Sequence, residues 1–354
     1  MSEQHFAFES GKISIAFRFM HGLGDSVVAR KVFDALVKLA PDCLVDIFYM
    51  REAHESFAKA FYGDSKNLNR IVNFHEHYMN HAEKYDAALW VFGTHATIWD
   101  AVNFERLNVV APKLSRALEQ VEAYNKENVF DFKPWSYSVP MRNVMISRSL
   151  NVNFFRFLSC NGALPIDDAA PWLKVSPEFE RAFKKLKLGN YITIYSNISR
   201  NEIFPKAKTW TIDYLAEYVA LMKKFFPRIE VVQVGGSDEV SIANVDRKIL
   251  GVDLELTKHI LANSLLHVGC EGGLIHLATA LGTTCLTFFG VSDWHYFSYP
   301  QNINVASEVC SPCMYASKDF GCMRGEKISP CMLDITPQDA FDVTREYLNT
   351  LAES

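Results

Sequence analysis

The 354-residue chain has no apolar run approaching the ~18 uninterrupted residues that a membrane-spanning helix needs. Its opening stretch, Met1 to Gly11, is polar and acidic, without the basic start and apolar centre of an export signal, so a cytoplasmic location is expected. An excess of positive charge is lacking, with 36 Lys and Arg against 41 Asp and Glu. A formal net charge of −5 leaves no electrostatic footprint for nucleic acid and argues against a strongly basic membrane-binding face, while local patches, and with them peripheral membrane contact, stay open. No internal repeat and no low-complexity tract is visible. What the chain does have is core: 49% hydrophobic residues over this length suffice for two domains.

Strands and helices alternate, the signature of parallel sheets, and predict an α/β fold of two Rossmann-like domains. In the first half, strands are expected at residues 12–19, 43–49, 69–74 and 86–92, with helices near 26–39 and 52–62. Residues 94–165 differ. They are rich in aromatics, including Trp99, Phe104, Trp135, Tyr137, Phe154, Phe155 and Phe157, show patchy helical periodicity and contain no convincing strand. They read as helices and loops completing a first domain, residues 1–165. The prolines and acids of Gly162 to Pro171 make the best linker. Residues 171–336 restart the pattern, with strands at 190–196, 229–235, 265–269 and 284–289 and helices near 211–226 and 273–281. Residues 337–354 close the chain with an amphipathic helix.

Two strand-to-helix turns stand out. The apolar run Ile13 to Phe17 leads through Gly22-Leu23-Gly24-Asp25 into a helix, and Leu265 to Cys270 leads through Glu271-Gly272-Gly273 into another that Gly282 caps. Free N–H groups in the first turn of such a helix suit an anion or a polar substrate. The plainer alternative makes Asp25 a helix N-cap and the glycines turn formers. A third strand ends in Tyr195-Ser196-Asn197-Ile198-Ser199-Arg200 and runs on to Lys206, Lys208 and Trp210, a hydroxyl- and cation-bearing segment fit for a diphosphate. Val231 to Gly236 is a fourth strand ending in glycines, among them Gly235. His75, Glu76, His77 and His81 form a polar cluster that nothing nearby completes as a metal site, so it reads as a solvated loop.

The eight cysteines divide into two groups. Cys43, Cys160, Cys270 and Cys285 lie scattered in apolar segments, as buried thiols do. Cys310, Cys313, Cys322 and Cys331 fall within 22 residues as Cys-x2-Cys-x8-Cys-x8-Cys, in a loop too polar to fold by burial alone. Four thiolates there would surround a tetrahedral ion, zinc by default; unliganded thiols or redox pairs are the alternative.

As a set these segments resemble the heptosyltransferases of glycosyltransferase family 9. The resemblance rests on Gly22-Leu23-Gly24-Asp25, on Glu271 through Thr283, on Cys310-Ser311-Pro312-Cys313, and on Cys331-Met332 followed by Ile335-Thr336-Pro337. It covers both halves in order, with little from residues 94–165. Two positions depart: Glu271 stands where Asp is common in the family and Gly272 where Thr is common.

The resemblance implies a GT-B-like enzyme of two facing Rossmann-like domains. The first takes the acceptor, aided by residues 94–165; the second takes the nucleotide sugar; and the C-terminal helix braces the first domain. It implies inverting transfer of heptose from ADP-heptose to a hydroxyl of lipopolysaccharide, protein or another glycan. Asp25 would be the catalytic base, with Gly22 and Gly24 lining the cleft. Lys208 would lead the donor contacts, joined by Ser196, Asn197, Ser199, Arg200, Gly235, Glu271, Gly272, Gly273 and His276. With no Asp-x-Asp motif in the chain, helix N–H groups and cations would stabilise the leaving diphosphate, and catalysis would need no divalent metal. A branch that modifies autotransporter proteins carries a four-cysteine iron finger with other spacings, so Cys310, Cys313, Cys322 and Cys331 are expected to hold structural zinc or iron. Two other readings stay open: a transferase of this fold using another nucleotide sugar, as Glu271 and Gly272 would allow, and a non-catalytic nucleotide-sugar-binding scaffold. A homo-oligomer is compatible with either.

Overall fold

The computed structural model describes residues 11–19, 22–73, 78, 80–128, 138–198, 207–310, 312–316 and 321–353. The chain forms two compact units, one made of Met1–Val139 with Phe154–Pro171, the other of Pro140–Asn153 with Trp172–Ser354.

In the first unit, β1 (Ser14–Phe19), β2 (Leu44–Tyr49), β3 (Leu68–Asn73) and β4 (Ala87–Phe92) are parallel, and β5 (Ala96–Val102) runs antiparallel to β4, giving the order β3-β2-β1-β4-β5. Helices α1 (Leu23–Leu39) and α2 (Glu52–Tyr62) follow β1 and β2. Because alternate residues of β1 face opposite ways, Phe17 meets Phe33 of α1 and Tyr62 of α2 on one side, while Ala16 packs with Phe48, Tyr78, Tyr85 and Ala88 on the other. Beyond β5 come α3 (Phe104–Val110), α4 (Pro112–Asn128), α5 (Ser138–Leu150) and α6 (Phe155–Leu158).

The presence of β5 corrects the expectation that residues 94–165 hold no strand. Gly93, at φ +52°, opens a tight turn that folds Ala96–Val102 back along β4. Beginning within α5, Pro140–Asn153 groups with the second unit. There, Met141, Val144, Met145 and Arg148 of α5 line a cavity of about 200 Å³ with Phe297 and Met314, and Arg148 pairs with Asp293 at 3.5 Å.

After Trp172 the second unit continues with α7 (Glu180–Lys185) and builds a wholly parallel sheet, β11-β10-β9-β6-β7-β8. Its strands are β6 (Tyr191–Ile194), β7 (Glu230–Gly235), β8 (Arg247–Leu250), β9 (His267–Cys270), β10 (Cys285–Phe289) and β11 (Ile303–Ala306). Between them run α8 (Ile212–Phe225), α9 (Leu254–Ala262), α10 (Gly273–Ala280) and α11 (Trp294–Phe297); α12 (Pro330–Asp334) and α13 (Pro337–Glu353) follow. The caps are local: Thr211 accepts from the Tyr214 N–H, Asp253 from Glu255 and Asp293 from Tyr296. Trp210, fully buried, packs on Phe288 and donates its indole N–H to the Ile335 carbonyl. The C-terminal helix buries Ala340, Phe341 and Leu348 in this second core, and Thr344 bonds Tyr218 of α8 at 2.8 Å. Its apolar face is complementary to α8 and is used there.

Candidate functional site

In the first unit, α1 begins at Leu23, three residues before the predicted start, with Gly22 as the N-cap residue and no side-chain cap. Asp25 is therefore in the first turn of the helix and is not its N-cap. A carboxylate there is favoured by the helix dipole. The turn at the end of β4 comes up beside it: a Cβ placed on Gly93 would lie 3.2 Å from Asp25 Oδ1 and 3.7 Å from the His95 ring. Asp25, Gly93 and the buried His95 thus share the C-terminal edge of the sheet. His95 was not picked out from the sequence, since it lies in a hairpin turn that was itself missed.

The second unit gathers most of the predicted donor residues. Glu271, at the exit of β9, has its side chain only 6% exposed, and Lys208 reaches it with Nζ 2.9 Å from Oε2. Ser292 donates to the same oxygen at 2.9 Å, while His276 Nε2 stands 3.6 Å from Oε1 and its Nδ1 bonds the Tyr299 hydroxyl at 2.7 Å. Burial alone would raise the Glu271 carboxyl; Lys208 and His276 outweigh it and hold the group well below the usual carboxylate range. Two residues after Lys208, the Trp210 backbone N–H donates to Cys270 Sγ at 3.2 Å and ties this segment to the end of β9.

Next to this pair, α10 starts at Gly273 from an N-cap Gly272 that offers no side-chain hydrogen bond. Its first-turn N–H groups carry the positive end of the helix dipole. A Cβ on Gly272 would sit 2.9 Å from the Tyr195 hydroxyl, and one on Gly269 only 2.1 Å from the Tyr195 ring. Tyr195 fills the space that a threonine at position 272 would claim. It stacks on His267 and donates to the Cys270 carbonyl, and burial pushes its phenol well above the ordinary range.

Ser196 and Asn197 are held from below by Glu239. Its Oε1 accepts from the Ser196 hydroxyl at 3.0 Å and the Asn197 N–H at 2.7 Å, and its Oε2 accepts from the Gly236 N–H at 3.3 Å. Burial raises the Glu239 carboxyl, against those hydrogen bonds. Gly235, at φ +153°, leaves room for it: a Cβ there would meet Glu239 Oε2 at 2.2 Å. Asn197 adopts φ +55°, and its buried Nδ2 has no hydrogen-bond partner among the described residues. The sequence reading saw the glycines after β7 but not Glu239; an acid three residues beyond a Gly-Gly turn was the available signal. Ser199 and Arg200 lie outside the described residues, as do His75, Glu76 and His77.

The four clustered cysteines adjoin the same core. Cys331 is buried and packs with the second-unit core, against which Cys310 and Cys313 also rest. Burial pushes the Cys331 thiol up to about 11, with Cys310, Cys313 and Cys322 near enough to add to the effect. Four sulfurs are a complete donor set for zinc or iron, so the chemistry fits such an ion. Among the described residues, however, no three His, Cys, Asp or Glu side chains are arranged to hold one. Cys43, Cys160, Cys270 and Cys285 are buried free thiols, as expected.

No protein-family profile and no curated protein matches the sequence. Solved structures do match. The ADP-heptose lipopolysaccharide heptosyltransferase II of E. coli aligns with TM-score 0.60 and 15% identity over 96% of this chain and 100% of that one. A family 9 glycosyltransferase from Veillonella parvula aligns with TM-score 0.61 and 12% identity over 97% and 99%. TibC, an iron-containing dodecameric glycosyltransferase from enterotoxigenic E. coli, aligns with TM-score 0.61 and 14% identity over 98% and 82%, and its complex with ADP-D-β-D-heptose gives the same score at 15%. At these identities the likeness is one of fold: this chain has a GT-B-like fold of two Rossmann-type units, as the family 9 heptosyltransferases do. Among the described residues, no helix is long and apolar enough to cross a membrane.

Proposed function

We propose that the chain is an inverting glycosyltransferase that moves heptose from ADP-heptose to an acceptor hydroxyl. The observation that carries this is the cation-carboxylate pair Lys208–Glu271 beside the uncapped start of α10. A nucleoside diphosphate offers both features what they lack, negative charge for the helix amides and a second anionic partner for Lys208. The names of the matching structures supply the ADP-heptose part of the reading.

In this reading Asp25 removes the proton as the acceptor hydroxyl attacks the anomeric carbon, a contribution of about 10²- to 10⁴-fold. The departing diphosphate takes its stabilisation from Lys208 and from the Gly273, Leu274 and Ile275 amides. Glu239 shapes the Ser196–Asn197 loop, Gly235 gives it room, and His276 with Glu271 lines the donor side. The acceptor is a lipopolysaccharide, protein or other glycan hydroxyl. Cys310, Cys313, Cys322 and Cys331 are the residues that would hold a structural zinc or iron ion, whose part would be to order their loop.

A thermal-shift comparison with ADP, UDP, GDP and CMP tests the donor. A nucleotide at 100 times its Kd adds about 2.7 kcal/mol of stability. Stabilisation by ADP alone supports the proposal. Stabilisation by UDP or GDP keeps a transferase and removes the heptose assignment; no response to any of the four leaves it without a donor.

A further inference from the structure

One buried serine joins the cysteine loop to the donor-side carboxylate. The backbone N–H groups of Cys313 and Met314 both donate to the Val291 carbonyl, at 3.0 and 3.1 Å. The next residue, Ser292, is 3% exposed; its hydroxyl lies 2.9 Å from Glu271 Oε2 and 3.5 Å from Met314 Sδ. On the other side of the same segment, a Cβ on Gly290 would fall 2.4 Å from Met332 Sδ and 3.0 Å from Cys331 Sγ. Residues 290–292 are therefore clamped between the Cys313 and Cys331 arms of the loop.

The hydroxyl has a single proton. The ionised carboxylate is the stronger acceptor, so the proton goes to Glu271, and Met314 restricts the rotation of the serine. Lys208 shares that carboxylate oxygen. A diphosphate that attracts Lys208 withdraws the cation from Glu271 and leaves it the Ser292 hydroxyl at 2.9 Å and the longer His276 contact at 3.6 Å. Without Ser292 as well, Glu271 would be a buried carboxylate left with the His276 contact alone and would compete with the diphosphate for the lysine.

We propose that Ser292 is a positioning residue: it holds Glu271 when Lys208 turns to the diphosphate, and it makes that hold depend on the packing of the cysteine loop. The proposal rests on the nucleotide-sugar reading above. It adds a route by which the loop, which need not touch the donor, controls donor affinity.

The experiment is a titration of the full-length protein with ADP by calorimetry. Wild type is compared with Ser292→Ala, Ser292→Thr, Glu271→Gln and Ser292→Ala/Glu271→Gln, and with Cys310→Ser alone and combined with Ser292→Ala. Loss of one hydrogen bond to a buried charge predicts a roughly tenfold weaker ADP affinity for Ser292→Ala. Ser292→Thr, which keeps the hydroxyl, is expected to restore it to within about twofold. The effect of Ser292→Ala should vanish on the Glu271→Gln background, and Cys310→Ser should weaken ADP binding only while Ser292 is present.

A Ser292→Ala protein with wild-type ADP affinity overturns the proposal. So does an equal loss on the Glu271→Gln background, or a Cys310→Ser effect that persists without Ser292. Failure of wild type itself to bind ADP is a separate result that removes the underlying donor reading.

Discussion

Replacing Lys208 with methionine would keep most of the side chain's bulk and remove its charge, leaving Glu271 buried without its cation. Breaking a buried pair costs about 3–5 kcal/mol, and the surviving Ser292 bond and His276 contact place this case near the lower figure, ~3 kcal/mol at pH 7. The pH dependence makes the prediction specific. In wild type the folded Glu271 pKa lies below its unfolded value of about 4.3, so its stabilising contribution is present above that pH and lost as pH falls through the depressed folded value. In Lys208→Met the burial term is no longer outweighed by the lysine, and the folded pKa rises. The charged carboxylate then destabilises the protein at neutral pH and is relieved by protonation as the pH falls. The stability gap between the two proteins should be widest at pH 7 and shrink towards pH 4, as read by urea denaturation followed through tryptophan fluorescence. A gap under about 1 kcal/mol at pH 7, or one that stays constant across the range, would refute the reasoning.

Asp25→Asn should retain ADP binding while turnover falls by about 10²- to 10⁴-fold, measured as transfer from ADP-heptose to an acceptor. Gly269→Ala places a methyl 2.1 Å from the Tyr195 ring, so a loss of about 1–3 kcal/mol is expected by urea denaturation. Elemental analysis of the purified protein should find about one zinc or iron per chain, and Cys313→Ser/Cys331→Ser should abolish it, as a four-thiolate structural site requires. A full metal content in that variant would show that the ion is held elsewhere.

The buried parallel strands were legible in the sequence because they are continuous apolar runs closed by turn residues. β1, β2, β4, β7 and β10 fall within one or two residues of their expected limits. β5 was not legible: Ile98, Trp99 and Asp100 alternate between faces, and the aromatic content of the region suggested helices. β8, reading Arg247-Lys248-Ile249-Leu250, is an edge strand with two exposed cations and too little apolar pattern to register. The site was legible as separate strand ends. That Lys208 and Glu271, 63 residues apart, meet on one carboxylate oxygen follows only once the parallel order places β9 beside β6. Glu239 and Ser292 carry no motif, and their roles come from what the fold packs against them.

The chain passes from one unit to the other three times, near residues 140, 154 and 172. Neither unit is therefore a continuous stretch that could be excised with one cut. A fragment ending at the Gly162–Pro171 linker would carry Met141, Met145 and Arg148 away from Phe297, Met314 and Asp293, opening the cavity they share and taking Arg148 from a buried carboxylate. Chimeras that exchange halves with a relative need residues 140–153 to travel with the C-terminal half, as a loan from one polypeptide segment to the other's architecture.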